Sequence, residues 1–215
     1  IISTLVVALT FFAAMASAST LITNWSYKAD AVFTDWVVTP GQIGSGYLNP
    51  DFEGSDPATL TWVYSGGSYN PGSVTGNRTL AWGDEAEEDG GKSSLDIDPQ
   101  NGNLVTNGIS QPGIKITHDN NPIYSPYSDI LNSGTVRATL ELTPTSPSGS
   151  AFPVFSTLLD FAFFETTNIN GNPDDSRDMF VLLDKSVTEE SFAWDGYLYT
   201  FTFGGFYEIV DTYFV

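Results

Sequence analysis

The sequence predicts an all-β fold: a single β-sandwich of jelly-roll character behind an N-terminal secretory leader. Three observations predict it. Short runs rich in β-branched and aromatic residues recur along the chain, several in clean alternation. Clusters of Gly, Pro, Asn and Asp separate them. After the first twenty or so residues helical periodicity is almost absent, and many short strands with Gly/Pro turns pack as a sandwich or jelly roll.

The first stretch, IISTLVVALTFFAAMASAS, is apolar from Leu5 to Met15 and then turns small. Ala16-Ser17-Ala18 fits the small-x-small pattern of leader cleavage, so residues 1–18 are read as a signal peptide cut after Ala18. The apolar run is short for a membrane span. A buried N-terminal helix and an apolar polymerisation helix of a filament subunit are the alternatives. No basic segment or initial Met precedes the run, so the sequence is expected to start inside a longer leader. Residues 19–215 are read as one β-sandwich domain, large enough for a real core.

Five strands are predicted in order. Ala58–Ser65 (ATLTWVYS) alternates. Thr135–Pro144 (TVRATLELTP) alternates more cleanly, with Val136, Ala138, Leu140 and Leu142 inward and Arg137, Thr139, Glu141 and Thr143 on a wet face. Ser156–Thr167 reads as a longer, more buried strand, Asp178–Asp184 as a short buried one, and Tyr197–Val210 as aromatics alternating with Thr before a Gly pair. Thr39–Pro57, Ser65–Asn77, Thr143–Pro153 and Asn168–Asp178 read as turn-rich. No repeat or linker divides the domain. The final EIVDTYFV resembles mid-strand sequence, so the domain is expected to continue past it.

Charge narrows the function. There are 26 acidic residues against 7 basic, a net charge of −19, and no Cys. Nucleic acid is a poor partner and anionic membrane surfaces are disfavoured, because both need a basic face. The acidic surface suits an extracellular protein and attracts divalent cations. Without disulfides, packing must hold the fold, with bound ions as a further candidate.

Enzyme signatures are missing. One His cannot supply a multi-His metal site, and no G-x-S-x-G elbow, phosphate-binding loop or dinucleotide fingerprint occurs. Glu85, Glu87, Glu88 and Asp89 read as a solvated loop rather than a glycosidase pair. A non-enzymatic protein is expected.

Oxygen-rich loops suit Ca²⁺, which takes six to eight oxygen ligands in loose geometry. The candidate ligands are Asn168, Asn170, Asn172, Asp174, Asp175 and Asp178. A weaker candidate, Asp96, Asp98, Asn101 and Asn103, has one residue too many before Gly102 for an EF-hand. Asx-capped β-turns are the plainer reading of both. Asn24-Trp25-Ser26 and Asn77-Arg78-Thr79 are glycosylation sequons, relevant in a eukaryotic secretory route alone. The five Trp and ten Tyr are expected mainly in the core, with stacking on polysaccharide as the alternative.

His118 ends an alternating stretch and precedes an Asx-Pro turn. Thr117, His118 and Asn120 can bond backbone groups there, a structural peg rather than a catalytic base lacking a nucleophile. Thr117-His118-Asp119-Asn120 followed by Asn121-Pro122-Ile123 resembles the signature of the THxN family of bacterial PEP-CTERM proteins. LAWGD (Leu80–Asp84), SSLDI (Ser93–Ile97) and LLDFAFFETTN (Leu158–Asn168) are similar to family pieces in the same order. The resemblance spans roughly Ala58 to Val210. It implies an exported surface or exopolysaccharide-matrix protein without catalytic residues, with polysaccharide, other matrix proteins or its own copies as partners. It also adds Trp82 and Gly83 to the motif residues. The sequence departs from the family in lacking Cys before MFVLL, and these 215 residues contain no C-terminal Val-Pro-Glu-Pro sorting signal.

Overall fold

The computed structural model describes residues 2–12, 20–41, 52–83, 92–121, 129–166, 178–183 and 188–206. Among them there are twelve strands and no helix. In chain order they are β1 (Ile2–Phe12), β2 (Asn24–Thr39), β3 (Glu53–Ser65), β4 (Ser68–Trp82), β5 (Ser93–Asp98) and β6 (Gln100–Val105). Then come β7 (Gln111–Asp119), β8 (Ile130–Ser146), β9 (Phe155–Phe164), β10 (Met179–Leu182), β11 (Thr188–Trp194) and β12 (Tyr197–Phe206).

The strands bond in the order β11-β12-β1-β7-β5-β4-β3-β9-β8-β2-β6, with β10 on β9. This sheet folds over itself into a β-sandwich. One layer runs from β11 to β3 and the other holds β9, β8, β2, β6 and β10. Two seams join them: a short parallel pairing of Tyr64 and Ser65 with Phe155 and Ser156, and a contact of Phe33 with Asn77. Aromatic pairs fill the space between. Trp25 of β2 meets Tyr199 of β12 edge-on at 5.2 Å, and Phe155 of β9 meets Phe201 of β12 at 4.7 Å. Close packing of such large side chains carries most of the stability of a disulfide-free domain.

The clean alternation predicted for β8 is present on its inner face, where Val136, Ala138, Leu140 and Leu142 are buried. The predicted wet face needs correction. Thr139 is only 6% exposed, because it lies between β2 and β9 and its hydroxyl donates to the Asp30 carbonyl beside the Arg78–Asp30 ion pair. β10 is also corrected. It is an edge strand rather than a buried one, with Met179 55% exposed. Its partner β9 is buried at its start, but it exposes Leu158 and Phe164 on its outer face.

Ser65–Asn77, predicted as a turn, is mostly strand. Only Gly66 and Gly67, both at positive φ, make the turn between β3 and β4. The later glycines of this stretch serve close packing. A side chain at Gly72 would collide with the Trp62 ring, and one at Gly76 with the Phe33 carbonyl oxygen and Val32. Gly76 thus lets β4 meet β2 at the seam. Gly76→Ala is expected to cost about 2 kcal/mol through this overlap, read as a fall in the urea midpoint. An unchanged midpoint would show that the seam tolerates separation.

β1 coincides with the apolar run read as leader. It is extended, not helical: Leu5–Phe12 pair with β12 and Ile2–Val7 with β7, both antiparallel.

Candidate functional site

The site is built by the end of β7. Along this strand Ile114, Ile116 and His118 face the core while Lys115, Thr117 and Asp119 face away. His118 is thereby carried inward, 1% exposed, opposite Leu95 of β5. Its imidazole lies parallel to the Trp82 indole, 2° between planes and 5.9 Å between centres. Phe163 closes the other direction edge-on, 5.0 Å from both rings. Trp82 is the last residue of β4, and Gly83 follows at φ 87°, a conformation that glycine adopts without strain.

Two carboxyl groups finish the cluster. Trp82 Nε1 donates to Glu165 Oε2 at 3.0 Å, just past the end of β9. Asp178, buried just before β10, accepts from the Thr166 amide at 2.7 Å and the Thr166 hydroxyl at 3.2 Å. Its Oδ2 lies 3.5 Å from His118 Nε2. Asp178 thus ties Thr166, just past β9, to the His118 pocket.

Burial sets the protonation. It lowers His118 from 6.5 to about 3, so the imidazole is neutral at pH 7 and its approach to Asp178 is not an ion pair. Burial, followed by the nearby Asp178 charge, raises Glu165 from 4.5 to about 8, against the opposing Trp82 hydrogen bond. Glu165 is therefore largely protonated at neutral pH. The cluster is a stacked, uncharged imidazole flanked by the protonated Glu165 and the hydrogen-bonded Asp178 side chain. It excludes solvent and fixes strand ends.

The structure distributes the predicted motif residues unevenly. It brings together His118 and Trp82, with Gly83 shaping the exit from β4. Thr117 points the opposite way and is held by backbone pairing to Asp96 and Ile2. Asn120 is half-buried just after β7. The neighbouring Asn121 joins β7 to β5. Asn121 Nδ2 donates to the Lys92 carbonyl at 2.9 Å, and Ser93 Oγ donates to the Asn121 carbonyl at 3.1 Å.

Of the six calcium candidates, Asn168, Asn170, Asn172, Asp174 and Asp175 lie outside the described residues. So do Glu85, Glu87, Glu88 and Asp89. Asp96, Asp98, Asn101 and Asn103 are not a loop but the strands β5 and β6. Asp96 accepts the Thr79 and Ser94 hydroxyls, each at 2.6 Å, and Asp98 accepts from Gln100 at 2.9 Å. Among the described residues no group of three or more His, Asp or Glu is placed to hold a metal ion.

The described aromatics divide between core and surface, with Tyr69 71% exposed. Trp25 and Trp82 are fully buried, and Trp62 lies beneath the Arg137 guanidinium at 4.5 Å. Trp194 is 51% exposed, but its neighbour Phe152 is edge-on at 76° rather than coplanar. A groove of about 330 Å³ across β6, β2 and β8 is lined by Ser26, Lys28, Asn101, Asn103, Glu141 and Thr143. Its one aromatic, Tyr27, is buried and donates inward to the Pro112 carbonyl at 2.6 Å.

Glu165, Phe163, Ser93 and Asn121 were not singled out from the sequence. A signal existed for Glu165, a lone acid directly after an apolar strand. No family model, curated protein or solved structure matches the chain.

Proposed function

We propose that the chain is a secreted, non-enzymatic β-sandwich of a bacterial surface or biofilm matrix, whose THxN-like residues form an internal lock. One observation carries this reading. Four pieces that resemble the family, far apart in sequence, meet at one buried cluster: Trp82 from LAWGD, Leu95 from SSLDI, His118 from the THxN piece, and Phe163 and Glu165 from LLDFAFFETTN. A neutral, solvent-excluded His stacked on Trp supports a structural role over a catalytic one. Calcium enters the proposal through Asn168, Asn170, Asn172, Asp174, Asp175 and Asp178, the last of which lies 3.5 Å from His118.

Two other readings have weaker support. Exposed Trp194 favours a carbohydrate-binding module, but no coplanar aromatic partner accompanies it among the described residues. The outer edge of β3 from Glu53 to Thr61 has no strand neighbour among the described residues, which favours a self-assembling subunit.

The test is expression with the leader in an exopolysaccharide-producing bacterium. The protein is expected in the matrix fraction with Ser19 as its first residue. The recovered protein is expected to melt several degrees higher in Ca²⁺ than in EDTA, because an ion bound by the native form alone stabilises it by mass action. Retention in the cytoplasm would overturn the secreted reading. Equal melting temperatures would remove calcium from it.

A further inference from the structure

The two described arginines have opposite surroundings. Arg78 reaches two carboxylates, Asp30 and Asp56. Arg137 reaches none among the described residues, in a chain with 26 acidic side chains. Its register sets it between Val32 of β2 and Leu158 of β9. The acids two residues along on those strands are engaged elsewhere. Asp30 pairs with Arg78, and Asp160 accepts the Thr135 hydroxyl at 2.7 Å. Burial lowers the Arg137 guanidinium from its ordinary value, whereas the hydrogen bond to Asp30 raises Arg78.

The Arg137 guanidinium is nonetheless firmly held. Its Nη1 donates to Ser65 Oγ at 3.3 Å and to the fully buried Ser156 Oγ at 3.2 Å. Its central carbon lies over the Trp62 ring, 4.5 Å from the ring centre. Gly72 lets that ring lie against β4, since a side chain there would strike it. Two donors of this cluster are buried and have no hydrogen-bond partner: Arg137 Nε and Trp62 Nε1. Native folds seldom leave buried donors unmet, because each has lost its hydration.

We propose that Arg137 and Trp62 form a binding site for the carboxylate group of a small monoanion. With Nη1 engaged by the two serines, the Nε side of the guanidinium remains. That side carries parallel N–H groups on Nε and Nη2, which fit the two oxygens of a carboxylate. A carboxylate has lone pairs to spare and accepts from Trp62 Nε1 as well. A neutral acceptor is a poorer match, because the guanidinium keeps its charge. Trp62, Ser65 and Arg137 are each only partly buried, so the cluster lies near the surface. Leu158, 48% exposed beside Arg137, offers an apolar contact for the rest of the molecule. The net charge of −19 does not bar a monoanion, since at physiological salt exposed charges are screened beyond about 8 Å. Sugar acids and short aliphatic acids both carry the required group.

The test follows the indole N–H resonance of Trp62 in the isotope-labelled full chain, assigned as the signal lost in Trp62→Phe. Acetate, butyrate, glucuronate and glucose are titrated at constant ionic strength. Each carboxylate is expected to give a saturable shift, and glucose none. Tighter binding of glucuronate assigns the site to sugar acids, tighter binding of butyrate to aliphatic acids, and equal binding to the carboxylate alone. Arg137→Gln is expected to abolish the shift. Arg137→Lys keeps the charge without the fork and is expected to raise Kd roughly tenfold. No saturable shift with any carboxylate, the same shift with glucose, or an undiminished shift in Arg137→Gln overturns the proposal. Where Arg137→Gln does not fold, unchanged affinity in Arg137→Lys overturns it. The readout is binding alone, so the result is separate from the export reading.

Discussion

His118→Ala is expected to destabilise the fold by about 3 kcal/mol, within the range for deleting a buried ring from a close-packed core. For a domain of this size that corresponds to a fall in melting temperature of roughly 6 to 12 °C. The change removes the ring stacked on Trp82 and packed on Phe163, and it opens a cavity beside Glu165 and Asp178. His118→Phe separates packing from polarity. It keeps a ring against Trp82 but presents carbon to Asp178 Oδ2, and it is expected to recover part of the loss. Thermal melts followed by circular dichroism decide this. A melting temperature within a degree of the parent would show that the cluster is not a lock.

The second large effect is a stability profile with two falling limbs. In the unfolded chain His118 takes up a proton below 6.5, whereas in the folded chain it does so only near 3. Its contribution is therefore present above 6.5 and is lost as the pH falls toward 3. Glu165 behaves oppositely. Unfolded, it ionises near 4.5, while the folded chain holds its proton up to about 8. That contribution is present below 4.5 and is lost as the pH rises through 8. Glu165→Gln keeps an acceptor for Trp82 Nε1 and removes the ionisation. It is expected to flatten the alkaline limb by an amount on the order of 2 kcal/mol while leaving the acid limb in place. Urea midpoints of parent and variant from pH 4 to 9 check this. Parallel curves across the alkaline limb would show that Glu165 is already ionised in the fold.

Much of the architecture was legible in the sequence, for physical reasons that also mark its limit. Alternation in Val136–Leu142 located a strand and its buried face, because a period of two has one structural meaning. The β3–β4 hairpin was partly obscured. Gly72 and Gly76 look like turn residues, yet they are required by a Trp62 ring and a Phe33 carbonyl that arrive from elsewhere in the chain. Thr139 reads as solvent-facing until β2 and β9 flank it. At the site, His118 stood out in the sequence because it is the single histidine and precedes an Asx turn. Trp82 stood beside it among the motif residues, but Phe163, Glu165 and Asp178 were not readable as neighbours of His118, since they come from around the end of β9 and the start of β10. Asn121 was hidden by Asn120, the neighbouring residue that the motif emphasises.

The strand order also bears on how fast the chain reaches its native state. β2 pairs with β8 over its whole length across roughly half of the sequence, and β1 pairs with β12 across most of it, so two of the long ladders are non-local. Non-local pairing of this kind slows folding, because long loops must close before their contacts are gained. The nascent N-terminal half cannot complete its layers until β8, β9 and β12 have been made. For the export proposed above, such a delay would suit passage of the unfolded chain, since the β2–β8 ladder cannot form before β8 has been made.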